Sequence, residues 1–514
     1  MSPATLSPVD QLARVLAPNS SASVSEKVSL LQAFSATLND VLTLERSLQI
    51  LNQIPLQLFY LGFSAEDERL TIVLCEVINK ILQPFSYEQI MSEENKTFLI
   101  QGLTHFTPEI RCLSLQQVFK CLSANQSVSD MTHSDVFPLV VATIAFQDTH
   151  TANKASDLLF QITQTTPGQE AFFGPTCMAM LKQLLQVNGT ISFRVYDLLI
   201  KVATISDNHF KDCEASGLLG AFTRELASDD LLLKINAIEL LNEIAATPSG
   251  LSFLEKANLI NTIATVLDNT DDSDVVVQLV KCAVIKFFGN LGENKAIEFE
   301  PFDTQYRLLE RIGACLESSN IEILIVTVST LGLLGSHTDG LKMVYSHQNK
   351  RLVQKILEIY GASVGQLKSV CLQTISKWLS NKDDNNSQEM EHLTLDIYDH
   401  MEGRPSTLLS VVKEAKQPDD SLRIAAFAVM QSIACHTWGI QKMANSSEFM
   451  NYILNRTTEY DEQGQTWKYA IVQTMAGAPD ASSVFTNYYQ QLQVYVRQGP
   501  FFRVVEPVAA VENS

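Results

Sequence analysis

The chain has 514 residues, and 46% of them are hydrophobic, which is enough to build an extensive buried core. Its 37 basic and 57 acidic residues give a formal net charge of −20, and a field of that sign repels a phosphate backbone, which argues against a nucleic-acid partner. Charged residues make up only 18% of the chain, below the usual level of about 25%, so we expect many uncharged polar residues on the surface.

In chain order, residues 1–25 are rich in Ser, Pro and Ala and predict a flexible lead-in. Apolar residues at helical spacing begin at Val28, and residues 69–82 carry the first strong amphipathic pattern. Helical patterns then continue, and strand signals are weak everywhere. We therefore predict an all-α domain over residues 26–499, followed by an extended tail over residues 500–514.

One feature recurs along this helical region: a hydrophobic residue followed by a small one ends a helical pattern about every 42 residues. The steps between successive pairs are 40, 40, 42, 47, 43, 45, 54 and 42 residues. This period is typical of an armadillo/HEAT-like helical-repeat solenoid of about ten repeats. The pairs are Leu122-Ser123, Ile162-Thr163, Val202-Ala203, Ile244-Ala245, Leu291-Gly292, Leu334-Gly335, Leu379-Ser380, Ile433-Ala434 and Met475-Ala476.

The turns and helix starts between the pairs also repeat. A turn with Asp or Asn, as at Asn153, Asp274, Asn320 and Asp419, is expected to cap the next helix. An early basic residue follows in most repeats: Arg111, Lys154, Arg194, Lys234, Lys368, Arg423 and Lys468. A second turn often contains glycine, as Gly168, Gly250, Gly340 and Gly439. We predict that the small residue of each pair lets the next helix approach closely, and that the 54-residue step holds a loop insertion at residues 381–388.

The nine cysteines form no C-x-x-C pair, and most lie in apolar helical runs, as reduced core cysteines do. This usage fits a cytoplasmic protein that is also compatible with the nucleus. Residues 1–10 lack the basic and apolar regions of a signal peptide. No apolar run reaches the roughly 18 residues that cross a bilayer, so we predict no membrane partner.

We find no sequence signature of catalysis, of a cofactor or of a metal. The phosphate-binding G-x-x-x-x-G-K-[ST] and the H-E-x-x-H and G-x-S-x-G motifs are missing. His392 and His400 share a helix face but have no third ligand nearby in sequence, and the Cys435-His436 pair lacks an orienting group. We therefore predict a protein that is not an enzyme and that binds neither cofactor nor metal.

What remains is a binding surface. In armadillo units the residue before the closing hydrophobic often points into the groove, and the mixed set Gln161, Lys201, Glu243 and Asn290 suits a folded protein partner. The alternative reading is that each of these residues simply lies on a solvated helix face. The row as a whole is too poor in Trp and Asn for a peptide clamp of the nuclear-import type. It reads Cys121, Gln161, Lys201, Glu243, Asn290, Leu333, Trp378, Ser432 and Thr474.

Four stretches, residues 194–200, 286–291, 330–336 and 498–507, together with the chain length, resemble the 26S proteasome non-ATPase regulatory subunit 5 family. The resemblance covers nearly the whole chain. It implies a solenoid that acts as an assembly chaperone for the base of the proteasome regulatory particle. Such a protein holds the C-terminal domain of one AAA-ATPase subunit, with associated base subunits, and leaves before the mature particle forms.

The repeats alone leave a second interpretation open, a generic armadillo adaptor in transport or signalling that binds short linear peptides. In either case we expect a monomer when the protein is free. The sequence does not determine which helix of each repeat faces the partner. HEAT-like pairs would turn the opposite helix inward.

Overall fold

A computed structural model describes residues 7–38, 42–226, 231–269, 274–381 and 387–502. Over those residues the chain is helical and contains no strand, which confirms the all-α prediction. It divides into two compact units, Met1–Glu225 and Leu226–Ser514, and the boundary falls at the last residue of a helix.

Unit 1 begins with two helices, and sets of three helices follow. Its helices are α1 Pro8–Leu16 and α2 Val24–Thr37; α3 Leu44–Gln53, α4 Leu56–Gly62 and α5 Glu68–Leu82; α6 Tyr87–Ile90, α7 Glu93–Leu103 and α8 Pro108–Val118; α9 Asn125–Thr132, α10 Val136–Thr143 and α11 Thr149–Thr163; α12 Thr166–Phe172, α13 Pro175–Leu184 and α14 Gly189–Ala203; then α15 Asp207–Ala215 and α16 Leu218–Leu226.

Unit 2 continues the same order. Its helices are α17 Leu231–Ala245; α18 Pro248–Lys256, α19 Leu259–Ala264 and α20 Val275–Glu293; α21 Phe299–Tyr306, α22 Leu308–Ala314 and α23 Ile321–Leu334; α24 Thr338–Ser346, α25 Arg351–Ala362 and α26 Gly365–Leu379; α27 Ser387–Asp399, α28 Thr407–Glu414 and α29 Asp420–Ala434; α30 Thr437–Ala444, α31 Ser447–Leu454 and α32 Glu462–Ala476; then α33 Ala481–Val484 and α34 Tyr489–Gln498. Five 3₁₀ turns interrupt the described chain: Phe63–Ala65, Phe119–Ser123, Thr265–Asp268, Cys315–Glu317 and Arg456–Thr458.

Within each unit, the helices that close successive sets pack on one another, and we call them the ladder helices. In unit 1 they are α5, α8, α11 and α14, and in unit 2 they are α17, α20, α23, α26, α29 and α32. The described chain thus has ten ladder helices, which agrees with the predicted number of repeats. Three helices per repeat, with a short first helix, is the armadillo form of the solenoid.

The caps of the ladder helices follow the predicted chemistry. Asp274, Asn320 and Asp419 accept hydrogen bonds from backbone N–H groups in the first turns of α20, α23 and α29. The prediction for Asn153 is wrong, because it lies inside α11, whose cap is Asp148.

The hydrophobic-small pairs bring neighbouring repeats together. A Cβ added to Gly292 would overlap Leu334, and one added to Gly335 would lie 2.6 Å from Cδ1 of Trp378. Both neighbours belong to the next ladder helix. The prediction that the small residue permits close approach is therefore confirmed at these two positions.

A second spacing places the short first helices. In four repeats a glycine lies six residues after the closing hydrophobic, and a Cβ there would overlap the carbonyl oxygen of that closing residue. The cap residue lies midway, and Thr165, Thr247 and His337 each accept a hydrogen bond from the glycine N–H. The glycine and closing-residue pairs are Gly168 with Ile162, Gly250 with Ile244, Gly340 with Leu334, and Gly439 with Ile433.

Two of the early basic residues are internal clamps. The Arg194 guanidinium donates to the Ile144 and Phe146 carbonyl oxygens just after α10, and Lys468, which is 1% exposed, donates to the Tyr452 and Asn455 carbonyl oxygens. Such cations satisfy carbonyls that a helix end leaves without partners. Arg194 therefore joins successive repeats, and Lys468 joins α31 to α32 within one repeat.

The start of the chain departs from the expected outline. Residues 8–16 of the predicted lead-in form α1, because Ser7 caps it and Pro8 occupies its first position, and the spacing of Val9, Leu12 and Leu16 buries one side of the helix. Residues 503–514 of the predicted tail, and residues 382–386 of the predicted insertion, lie outside the described residues. At the start of the tail, Arg456 donates to the Gly499 and Pro500 carbonyl oxygens.

Among the described helices, α20 is long and apolar enough, at 19 residues, to cross a membrane by length and composition. The prediction that no apolar run reaches the roughly 18 residues that cross a bilayer is therefore wrong for this helix. Within the fold 56% of its apolar window is buried, and α20 packs between α17 and α23.

Candidate protein-binding surface

Each ladder helix buries one side between its neighbours and exposes a stripe of residues every three or four positions. On α26, Cys371, Leu372 and Ile375 are buried, whereas Gln373 is exposed and Lys377 is half-buried. We call the surface formed by these stripes the ladder face of each unit. In unit 1 it includes Ile72, Glu76, Asn79, Glu109, Cys112, Gln116, Asp157, Gln161, Asp197 and Lys201; in unit 2 it includes Glu239, Glu243, Leu279, Lys286, Asn290, Ser329, Leu333, Val370, Gln373, Lys377, Ala428, Gln431, Ala470 and Gln473.

The four residues predicted to bind a partner all lie on the ladder faces. Gln161 on α11 is exposed, and Lys201 on α14 is half-buried, with its ammonium 2.8 Å from an Asp197 carboxylate oxygen. In unit 2, Glu243 is exposed on α17 and Asn290 is exposed on α20. The Asn290 amide donates to the Asn242 side chain at 3.1 Å, which links these two ladder helices.

Three other positions of the predicted row point into the core. Cys121 and Trp378 are fully buried, and Ser432 is 4% exposed. The Trp378 indole N–H donates to the Leu331 carbonyl oxygen of the neighbouring ladder helix at 3.0 Å, and the Ser432 hydroxyl donates to the Ser376 carbonyl oxygen. Position relative to the closing hydrophobic therefore does not set exposure in these repeats, because each helix is rotated to fill its own contact with the next.

The ladder face of unit 1 is acidic. A shallow cavity of about 420 Å³ lies across α5, α8 and the start of α11, lined by Glu76, Glu109 and Asp148 among others. Hydrogen bonds from Ser35 and then Lys80 lower the pKa of the Glu76 carboxyl. Burial, assisted by the Glu109 charge, raises the pKa of the neighbouring Cys75 thiol to about 12, so this thiol remains uncharged at neutral pH.

Beyond α17, which carries Glu239 and Glu243, the ladder face of unit 2 has the opposite character. Between their first and last turns, α20, α23, α26, α29 and α32 contain no Asp or Glu. The charged side chains that these five helices contribute to the face are Lys286, which is exposed, and Lys377, which is half-buried, among Leu, Val, Ala, Ser, Asn and Gln side chains. The whole chain has a net charge of −20, yet this part of its surface is poor in charged residues. The cores of protein–protein interfaces have the same composition.

Several histidines for which the sequence predicted no role bond to the backbone between repeats. The Nε2 atoms of His209, His337 and His436 lie 2.9, 2.7 and 2.5 Å from carbonyl oxygens at the ends of α11, α20 and α26. Two of them could have been found, since His337 and His436 each follow a closing hydrophobic by three residues, at the cap position. His436 also faces Glu391, which gives this buried ring a structural contact at both nitrogens.

The described residues contain no group of three or more His, Cys, Asp and Glu side chains placed to hold a metal ion. Both groups of sequence candidates have other neighbours. His400 follows the end of α27 and lies beside Asp396 of that helix, and His436 lies in the repeat contact described above.

Ladder helices that stack within each unit, together with an exposed ladder face on each, define an armadillo/HEAT-like helical-repeat protein, a fold typical of non-catalytic scaffolds. Known structures with this fold include a complex of Kap95 with Nup1, which is 12% identical with a TM-score of 0.61 and covers 96% of this chain and 66% of that one. Yeast importin-β gives a TM-score of 0.56 at 11% identity, covering 96% and 67%. At such identities the likeness concerns the fold alone.

Residues 10–514 match the model of the family described as "Proteasome non-ATPase 26S subunit", and the chain belongs to that family. It is 27% identical over 461 residues to the 26S proteasome non-ATPase regulatory subunit 5 of Homo sapiens, covering 87% of this chain and 89% of that protein. The protein of the same name from Drosophila melanogaster is 22% identical over 439 residues, covering 84% and 82%. The family resemblance seen in the sequence is confirmed, and the role of this chain is related to the proteasome.

Proposed function

We propose that this protein is an assembly chaperone for the base of the 26S proteasome regulatory particle. In this proposal it binds the C-terminal domain of one AAA-ATPase subunit, together with associated base subunits, and dissociates before the mature particle forms. The free protein is a monomer, it acts in the cytoplasm with the nucleus as a second compartment to be tested, and it catalyses no reaction. Membership of a proteasome family supports the setting, and the ladder faces support a binding role.

The observation that carries this proposal is the charge-depleted ladder face of unit 2. A folded domain can cover several ladder helices at once, because their exposed stripes lie side by side. Apolar and uncharged polar groups such as Leu279, Val370 and Gln373 are inexpensive to desolvate, whereas unpaired carboxylates would not be. A folded client therefore fits this surface better than an extended basic peptide, which would require acidic side chains along its path.

The chaperone role then follows from steric exclusion. A client domain held on the ladder face has part of its own surface covered, so it is unable to dock elsewhere while the complex lasts. Release requires a competing interface of greater total affinity, and it needs no nucleotide bound to this chain. Timing is thus set by competition between interfaces.

A pull-down of the purified protein with isolated C-terminal domains of the proteasomal ATPases tests the proposal. We expect one of these domains to bind selectively. Absence of selective binding to any of them would refute the chaperone role, and binding of short linear peptides instead would favour the adaptor interpretation.

A matched pair of variants tests the surface itself. Gln373→Glu places a carboxylate in the depleted face, whereas Gln354→Glu makes the same change on α25, away from that face; both glutamines are exposed. We expect Gln373→Glu combined with Lys377→Glu to weaken client binding about tenfold or more, as an uncompensated charge in an interface core does. Gln354→Glu should change affinity less than about twofold.

Charge reversal at the sequence-predicted residues is a second perturbation. We expect Lys201→Glu and Glu243→Lys to weaken client binding, while the helical signal in circular dichroism and the melting temperature stay unchanged, because both side chains are at least partly exposed. Lys201→Glu also removes the ion pair with Asp197, so Lys201→Met serves as its control. Unaltered affinity in all three variants would show that these positions lie outside the interface.

A further inference from the structure

A long groove crosses the first helices of three successive repeats in unit 2. It has a volume of about 1470 Å³ and is lined by residues of α21, α24 and α27 and of the segment before α21. Small-molecule sites usually occupy about 300–1,000 Å³, so this groove is large enough for a piece of polypeptide. Its lining includes none of the ladder-face residues.

The floor of the groove is apolar. Phe299 and Leu393 are buried beneath it, and Ile297 and Met343 are half-buried on its surface. Exposed methionine in a groove is adaptable, because its unbranched side chain reshapes around different apolar partners.

The rim is acidic. Glu298, Glu300 and Asp339 are exposed along it and make no ion pair within the described residues, and the single basic residue beside them that is equally exposed is Lys295. Lys342 also lines the groove, but its ammonium lies 2.8 Å from a Glu389 carboxylate oxygen. The rim therefore presents a net negative charge to anything that enters.

One wall of the groove is held in place by contacts between successive first helices. The Lys342–Glu389 pair joins α24 to α27. Close by, the Tyr345 hydroxyl donates to Asp396 at 2.9 Å, and Lys350 lies at the same distance from that carboxylate. These contacts keep the groove open in the free protein, so binding does not have to order it first.

We propose that this groove binds an amphipathic helix of a partner protein, with apolar residues on one face and Lys or Arg on the other. The apolar floor accepts the apolar face, and the rim carboxylates pair with the basic flanks. Successive packed helices lie about 8–10 Å apart, so the groove is about 16–20 Å long, which corresponds to about 11–13 helical residues at 1.5 Å each. The site uses different helices from the ladder face and does not depend on the proposed client.

The test measures binding of a fluorescent peptide of about 14 residues, made of Leu and Lys arranged as an amphipathic helix, to the full chain by fluorescence anisotropy. A scrambled peptide of the same composition controls for charge alone. We expect the amphipathic peptide to bind about tenfold more tightly than the scrambled one. Equal affinity for the two peptides would overturn the proposal.

Two sets of variants locate the binding. Thr304→Trp fills the groove from an exposed position on α21 and should abolish binding, whereas Thr466→Trp on α32 should not. Glu298→Lys, Glu300→Lys and Asp339→Lys together should weaken binding about tenfold or more. The triple variant Glu322→Lys, Glu358→Lys and Glu448→Lys changes the net charge equally at exposed sites outside the groove, and it should have less than about a twofold effect.

Circular dichroism and melting curves establish that each variant is folded. Because Thr304→Trp leaves the rim charges intact, it tests occupation of the groove separately from charge attraction. If both triple variants weaken binding to the same extent, the peptide is attracted by net charge and the groove proposal fails. The proposal also fails if Thr304→Trp leaves the affinity unchanged.

Discussion

Replacement of Gly250 by alanine tests whether the spacing of six residues between closing hydrophobic and glycine holds the repeats together. Gly250 lies in the first turn of α18, against the end of α17. An added Cβ would lie 2.8 Å from the Ile244 carbonyl carbon and closer still to its oxygen, whereas real Cβ atoms essentially never approach within 3.0 Å. The obstacle is backbone, so α18 has to move away from α17 by about an ångström.

The size of the effect follows from three contributions. Overpacking of a tight contact typically lowers the free energy of unfolding by about 1–3 kcal/mol. Movement of α18 also weakens the 3.1 Å hydrogen bond from the Gly250 N–H to the Thr247 hydroxyl, and loss of such a cap costs about 0.5–2 kcal/mol. The better helix propensity of alanine returns about 0.5–1 kcal/mol. We expect a net destabilisation of about 2 kcal/mol.

Gly361→Ala is the matched control. Gly361 lies near the end of α25, and an added Cβ there meets no atom within 4 Å. The same chemical change should therefore stabilise the protein by about 0.5–1 kcal/mol through propensity alone. The two variants are expected to shift stability in opposite directions.

Thermal melting by circular dichroism measures the difference, and amide hydrogen exchange locates it. For a unit of this size about 2 kcal/mol corresponds to a lower melting temperature by about 4–8 °C, and exchange should accelerate first in α17 and α18, because repeat arrays open locally. If Gly250→Ala and Gly361→Ala melt together at or above the wild-type temperature, the close approach does not constrain the repeat and the reasoning is wrong.

Two further predictions concern buried groups of unit 2. Burial lowers the pKa of Lys468 to about 7 from its ordinary 10.5. Between those pH values the unfolded chain binds more protons than the folded chain, so the free energy of unfolding should rise with pH, by at most about 1.4 kcal/mol per pH unit. Lys468→Met should abolish this rise in denaturation curves measured at different pH values, whereas Lys413→Met, at an exposed position, should retain it. Trp378→Phe removes the hydrogen bond to the Leu331 carbonyl oxygen and leaves a void beside Gly335. It should therefore lower the free energy of unfolding, measured by chemical denaturation, by about 1–3 kcal/mol. Adding Gly335→Ala should fill part of that void, so a double variant that is no more stable than Trp378→Phe alone would contradict the contact between these two residues.

The repeat could be predicted from the sequence because its signals are local. The closing pairs recur at a nearly constant step. The small residue of each pair packs against the next ladder helix, and the glycine that lies six residues after the closing hydrophobic packs against the end of its own ladder helix, so the repeat pattern itself predicts both neighbours. Gly292 and Gly335 lie where the pairs placed them, against the next ladder helix. The count of about ten repeats follows from the same periodicity.

The hydrogen bonds that clamp successive repeats together could not be predicted from the sequence, because each joins a side chain to a backbone carbonyl far away in the chain. His209 bonds to Thr163, His337 to Gly292 and His436 to Leu379. A carbonyl oxygen has no sequence signature, so the acceptor of such a bond is invisible until the helices are placed. A histidine or lysine in an apolar helix therefore reads as a surface residue, although here it satisfies the end of another helix.

The candidate surface also has one property that could not be predicted from the sequence, the exposure of single positions, and one that could, the charge pattern of whole ladder helices. Whether a single position such as Trp378 or Ser432 is exposed depends on how its helix is rotated about its axis relative to its neighbours. Aligning the repeats in sequence does not determine that rotation. The charge pattern of a whole ladder helix does not depend on that rotation: a mid-helix carboxylate that cannot be buried must lie on the exposed stripe. The ladder helices α20, α23, α26, α29 and α32 lack such carboxylates whichever way they turn. The charge depletion of this part of the unit 2 ladder face is therefore a property of composition, and it is the part of the candidate surface that could have been predicted from the sequence alone.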